Sequence, residues 1–213
     1  YDEPVMLTDI TRGFFSKLQQ IWPDAKEREA MGDLVSGEPG RVEAGARVLS
    51  RTNVFNAVLR NGISPAMLSA GDVHNVIPAS ATALLNVRTL PGQSIDKVVN
   101  RLRAIITEPG VTIEITSRGH EAPASNPDSE MFRAIADASQ ELNPEIAVVP
   151  YLSTGVTDSA RLRRLGVQAY GVLPFPMEEA DERRMHAADE RVPIASLHFG
   201  TKLIFGAIAR IAR

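Results

Sequence analysis

Cysteine is absent from the 213 residues, which removes disulfide frameworks, cysteine-ligated zinc and thiol nucleophiles together. A metal held by this chain would have to be held by histidine and carboxylate. A surplus of positive charge is absent too: 23 Lys and Arg stand against 26 Asp and Glu, for a formal charge of -3. Nothing in that balance draws the chain to a phosphate backbone, so no nucleic-acid partner is expected. No stretch approaches the ~18 consecutive apolar residues of a membrane span. The opening YDEPVMLTDITRG lacks the basic-then-apolar layout of a signal peptide. No membrane partner is expected, and the compartment stays open. Internal repeats and low-complexity tracts are also missing.

What is present is the composition of an ordinary globular chain, 44% hydrophobic, with room for one large or two small domains. In residues 1–51 apolar side chains recur at helical spacing at Ile10, Phe14, Leu18 and Ile21, then around Met31, Leu34 and Val35. This predicts two or three short helices joined by the loop SGEPGR. From Asn53 the sequence turns to β-branched residues and turn formers, predicting two adjacent strands with a turn near Ala70-Gly71-Asp72. Ser94 then stands as N-cap of a helix with Ile95, Val98, Val99, Leu102, Ile105 and Ile106 on its apolar face, and VTIEIT, residues 111–116, alternates as a strand. Strand, strand, helix, strand is most of an α+β unit with an antiparallel sheet and helices on one face.

The run SRGHEAPASNPDSE has the composition of a linker. After it comes a helix over about 129–142, an apolar strand IAVVPYL at 146–152, a glycine turn and a short helix DSARLRRLG. The strand VQAYGVLPF, an acidic loop and a helix from about Pro193 to Arg213 complete the chain. Helix alternating with near-continuous apolar strand predicts part of an α/β sheet covered on both faces.

Chemistry-bearing residues are few. Of the four histidines, His198 falls amid Leu197, Phe199, Leu203 and Ile204 on the last helix and reads as a packed or surface residue. His186 sits in the loop RRMHAADERV between strand and helix, where binding residues on a rigid scaffold concentrate. In STGVTDSA, residues 153–160, a turn after an apolar strand offers hydroxyls and backbone N–H groups to an anion, and Asp158 can cap the following helix. Capping alone is an equal reading. The turn lacks the glycine spacing of a nucleophile elbow, so serine hydrolase chemistry is unsupported. Asn75 and Arg88 stand thirteen positions apart on the second predicted strand, an odd spacing that puts them on opposite faces of a regular strand.

The order of these pieces resembles the M20 peptidase family. HNVIPASATALLNVRTLPG, with the helix and strand after it, is similar to the family's dimerisation (lid) domain. STGVTDSARLRRLG, AYGVLPF and HAADERV resemble its T-D-(A/S)-R segment, a late strand, and its H-(G/A)-x-(D/N)-E-R-V motif, in the expected order over residues 52–213. The resemblance implies an α+β lid over 1–117 that lacks its first strand, followed at 118–213 by the C-terminal segment of an α/β zinc-peptidase catalytic domain. His186 then matches the last ligand of a two-zinc site with a bridging water. Asn75 and Arg88 match lid residues that bind the substrate carboxylate or the scissile carbonyl, often in the partner subunit's site. Ser153, Thr154 and Gly155 match the turn lining the substrate pocket, Asp158 the aspartate that organises it, and His120 lies near a substrate-contacting position.

By the same resemblance, the complete protein hydrolyses an amide or peptide bearing a free carboxylate, as a homodimer joined through its lids. An H-x-D motif, a bridging aspartate, a Glu-Glu pair with the general base and a G-x-x-H-(S/A) segment are not matched among the 213 residues, the Glu178-Glu179 pair lying in the acidic loop at the wrong place in the order, so the chain by itself is expected to be inactive and to bind zinc weakly at most. The alternative from another class is a stand-alone dimerisation or binding module without catalysis.

Overall fold

The computed structural model describes residues 1–212, which divide into two compact units. The first comprises residues 1–123 together with 151–156; the second holds the rest of the described chain.

The first unit begins with helices α1 (Asp9–Leu18), α2 (Ala25–Val35), α3 (Pro39–Leu49) and α4 (Asn53–Leu59). The Thr8 hydroxyl accepts from the Thr11 N–H at 3.1 Å and Asp24 accepts from Glu27 N–H at 2.8 Å, satisfying N–H groups that the helices leave unpaired. Pro39 opens α3, where its missing N–H costs nothing. These helices bury one continuous core of Phe14, Phe15, Leu18, Met31, Leu34, Leu49, Phe55, Val58 and Leu59. Each such side chain contributes roughly 1.5–3 kcal/mol by leaving water. Helices α2 and α3 approach so closely at Gly45 that a Cβ there would stand 2.4 Å from the Ala30 carbonyl oxygen.

Strands β1 (Gly62–Ala70) and β2 (Ala81–Arg88) follow as an antiparallel ribbon with a bulge between Pro65 and Met67. The register places Ile63 opposite Val87, Pro65 opposite Leu85, Leu68 opposite Ala83 and Ala70 opposite Ala81, which makes one face of the ribbon apolar. The other face pairs Gly62 with Arg88, Ser64 with Asn86, Met67 with Leu84 and Ser69 with Thr82.

Helix α5 (Ile95–Ile105) buries Val98 and Leu102. Ser94 is its N-cap, yet its hydroxyl makes no capping bond; the Glu121 carboxylate accepts the Ile95 N–H instead, at 2.9 Å. Two parallel bonds of 2.8 Å join Arg118 to Asp96 in the first turn. Residues 118–123 thus stay with the first unit because they fold back onto the start of α5.

The second unit packs α6 (Glu130–Leu142) against α9 (Ile194–Ile211) through Ala138, Leu203 and Ala207, the two alanines allowing close approach and the leucine filling the contact. Ser129 caps α6 by accepting from Phe132 N–H at 3.0 Å. Short helices α7 (Ser159–Arg164) and α8 (Glu179–Glu182) lie between them in sequence. A Cβ at Gly200 would meet the Phe175 ring and the Pro174 carbonyl at 2.8 Å, so α9 also presses on the segment before α8. By length and composition α9 could cross a membrane, although no unbroken apolar run predicts it; it carries Lys202 and Arg210 and is engaged with α6.

Several expectations need correction. Residues 53–59 are helical: Phe55, Val58 and Leu59 fall at helical spacing and reach the core together, which outweighs their β-branched composition. Residues 111–116, 146–152 and 167–175 run without strand hydrogen bonding. A strand exists only as part of a ladder, and among the described residues no neighbour supplies the other half. For the same reason the α/β sheet expected over 118–213 is not formed in the second unit, and α5 does not lie against the ribbon as a layer. The fold described is helix-rich with one small antiparallel two-stranded sheet. The expected helix to Arg213 runs to Ile211, and Arg213 lies outside the described residues.

Candidate functional site

Arg88 ends β2 on the polar face of the ribbon, with Gly62 as its cross-strand partner. A glycine there leaves the guanidinium uncovered on that side. Arg88 Nε donates to Asn86 Oδ1 at 3.2 Å, and Nη1 donates to the Thr154 carbonyl. Thr154 belongs to the returning segment 151–156, whose Tyr151 ring packs 5.6 Å from that of Phe14. Within it the Gly155 N–H donates to Ser153 Oγ at 3.2 Å, closing a tight turn. The structure therefore brings Arg88 together with Ser153, Thr154 and Gly155, residues that stand more than 60 positions apart in sequence. Nη2 of Arg88 has no partner among the described residues, which leaves donors for a carboxylate.

Asn75 is placed elsewhere. It lies exposed in the connection between β1 and β2, outside either strand, so the objection from odd spacing does not apply. Arg88 ends β2 at the other end of the ribbon, roughly 23 Å along the strand from Ala81. His120 is exposed in the segment that Arg118 and Glu121 anchor at the start of α5. Neither joins the Arg88 cluster through any hydrogen bond among the described residues.

The second unit carries Asp158 and His186. Asp158 is the N-cap of α7 by backbone position, and its carbonyl accepts from Arg161 and Leu162 N–H. Its carboxylate makes no capping bond, so the capping reading is corrected: Asp158 has helical φ and ψ of -63° and -15°, not the extended backbone from which a side chain reaches forward. His186 is the one non-glycine residue with positive φ, 68°, among the described residues. That left-handed conformation costs an L-residue energy and persists only where neighbours impose it. Here the His186 N–H donates to Glu190 Oε2 at 3.1 Å, while Arg191 Nε pairs with Asp181 at 2.7 Å and Arg184 with Asp189, so the loop is closed by its own charges. The imidazole makes no hydrogen bond among the described residues.

A metal centre needs several converging donors, usually three from protein in a catalytic zinc site. No group of three or more His, Asp or Glu able to hold a metal occurs among the described residues, so His186 is not part of one. The residues present do not fit a complete metal site.

Two residues around Arg88 were not singled out from the sequence, Asn86 and Gly62. The signal for Asn86 was its position two before Arg88, which puts both on one face of a strand. Gly62 becomes visible only through the register.

Comparison with known proteins places these elements. The peptidase dimerisation domain family of M20 type matches residues 14–114. The match begins within α1 and includes α2 to α4. The chain is 29% identical over 150 residues to probable carboxypeptidase S-like 2 of Dictyostelium discoideum, covering 70% of this chain and 29% of that protein. It is 27% identical over 163 residues to the human N-fatty-acyl-amino acid synthase/hydrolase PM20D1, covering 75% of this chain and 32% of that one. The crystal structure of the M20 family metallo-carboxypeptidase Sso-CP2 from Sulfolobus solfataricus has the same fold with a TM-score of 0.57 at 18% identity, over 97% of this chain and 46% of that one. The aligned part spans about a third of the length of these curated relatives.

Proposed function

The chain belongs to the M20 peptidase family, and on that footing we propose that the complete protein hydrolyses an amide or peptide bond in a substrate bearing a free carboxylate. M20 proteins are metal-dependent peptidases and amidohydrolases, and relatives are named for carboxypeptidase and N-fatty-acyl-amino acid hydrolase activity. Both names describe amides whose product carries a carboxylate.

The observation that carries the reading is the Arg88 guanidinium, uncovered opposite Gly62 and set beside the Ser153-Thr154-Gly155 turn. A guanidinium binds a carboxylate through two parallel hydrogen bonds, which fixes orientation as well as charge. In this reading Arg88 holds the substrate carboxylate, the turn lines the pocket, Asp158 organises it and His120 touches the substrate. Asn75 is reserved for the scissile carbonyl. His186 would supply one imidazole to a zinc site whose remaining ligands lie outside the 213 residues, and the chain alone is then inactive. The domains are a lid over 1–117 and the end of a catalytic domain over 118–213, with pairs of lids forming a homodimer. The presence of a dimerisation domain supports the last point.

The test is turnover of N-octanoylphenylalanine and of a blocked dipeptide by the complete protein, together with the 213-residue chain alone. The complete protein should hydrolyse at least one of them and lose that activity to a chelator, and the chain alone should hydrolyse neither. Loss of all turnover from the complete protein under metal-replete conditions would sink the proposal. Activity in the chain alone would overturn the fragment reading.

A further inference from the structure

We infer that Asn86 is a positioning residue: its side-chain carbonyl orients the Arg88 guanidinium for the substrate carboxylate. The inference rests on the reading of Arg88 given above and names a residue that the reading does not use.

An arginine at the exposed end of a strand samples many rotamers, and a two-point grip on a carboxylate is available in few of them. Two contacts remove that freedom here. Nε donates to Asn86 Oδ1 at 3.2 Å and Nη1 donates to the Thr154 carbonyl. Asn86 and Arg88 are two apart on β2, so the pleat itself sets the amide beneath the arginine stem on the same face. The cross-strand neighbours on that face are Ser64 and Gly62, too short to compete for the guanidinium. With Nε and one Nη1 hydrogen engaged, both hydrogens of Nη2 and the second of Nη1 remain for a ligand. Because Asn86 is neutral, it holds the arginine without cancelling its charge, whereas a carboxylate at 86 would compete with the substrate.

The mutational test uses the complete protein and measures KM for N-octanoylphenylalanine and for its carboxamide. Asn86→Ala should raise KM for the carboxylate roughly fivefold, the scale of one modest hydrogen bond, and raise that for the carboxamide much less. General damage to the lid would raise both alike. On an Arg88→Lys background, where no Nε–H in the same geometry remains, Asn86→Ala should add no more than about a twofold change. If Arg88→Lys leaves the carboxylate-to-carboxamide ratio unchanged, the reading of Arg88 fails and this inference falls with it. If Arg88→Lys alters the ratio but Asn86→Ala does not, or if the two substitutions multiply in full, Arg88 keeps its role and Asn86 is not its positioning residue.

Discussion

The Glu3 carboxylate, with no exposed side-chain surface, meets the Arg101 guanidinium at 2.5 Å and so joins the start of the chain to α5 across 98 positions. Glu3 also accepts from Asn61 Nδ2 at 3.0 Å, and Asn61 Oδ1 accepts the Leu90 N–H at 2.9 Å. Glu3→Ala strips acceptors from two buried or half-buried donors, and Arg101 is 30% exposed, which softens the loss. A destabilisation of about 2 kcal/mol is expected in urea unfolding. Asp2→Ala, at a side chain that is 80% exposed, should change stability little. Equal effects at the two positions would remove the network from the account of stability.

Gly45 and Gly40 should respond in opposite directions to alanine. Both lie in α3, where alanine is the better helix former by about 1 kcal/mol. A Cβ at Gly45 would stand 2.4 Å from a backbone oxygen of α2, whereas nothing lies within 4 Å of one at Gly40. Gly45→Ala should therefore cost on the order of 2 kcal/mol while Gly40→Ala is neutral or stabilising. Thermal unfolding of the two variants side by side checks the sign.

The return of residues 118–121 onto α5 depends on pH. The Arg118 hydrogen bonds hold the Asp96 carboxyl below its ordinary range. A depressed carboxylate contributes while it is ionised, so the attachment persists above the ordinary carboxylate pKa of about 4 and is lost as pH falls through the lower folded value. Amide exchange at Ile95, whose N–H is covered by Glu121, should accelerate relative to the core as acid is added, and Arg118→Ala should remove much of that pH response. An Ile95 amide indifferent to both changes would place the anchor elsewhere.

In the complete protein His186→Ala should lower turnover by orders of magnitude and reduce metal content while leaving far-UV circular dichroism unchanged, as expected for loss of a ligand. Since the residue holds positive φ, His186→Gly should fold at least as well, which separates ligation from backbone strain. Near-normal turnover with full metal content in either variant would make His186 an ordinary loop residue.

If Arg88 serves the site of the partner subunit, mixing Arg88→Ala and His186→Ala protomers should restore activity. Half of randomly formed dimers are mixed and one of their two sites is intact, so about a quarter of the original turnover is expected. Mixed dimers without activity would confine Arg88 to its own subunit.

Local sequence determined the helices. The spacing of Phe14 and Leu18, of Met31 and Leu34, and of Val98 and Leu102 marks an apolar stripe that any partner surface will bury, so these elements are legible within a few residues. The pairing of two adjacent strands was legible as well, although β1 begins only at Gly62 and β2 only at Ala81, with residues 71–80 a longer connection in place of the expected tight turn. Tertiary structure decided the rest. Residues 53–59 carry the composition of a strand, but only the common core could draw Phe55, Val58 and Leu59 to one side and make them a helix. Residues 111–116, 146–152 and 167–175 have strand composition, and a strand takes its hydrogen bonds from a neighbour that its own sequence does not contain. The setting of Arg88 is of the same kind: its residue type and strand end are local, while its contact with Thr154 spans 66 positions and follows from the return of residues 151–156 to the first unit.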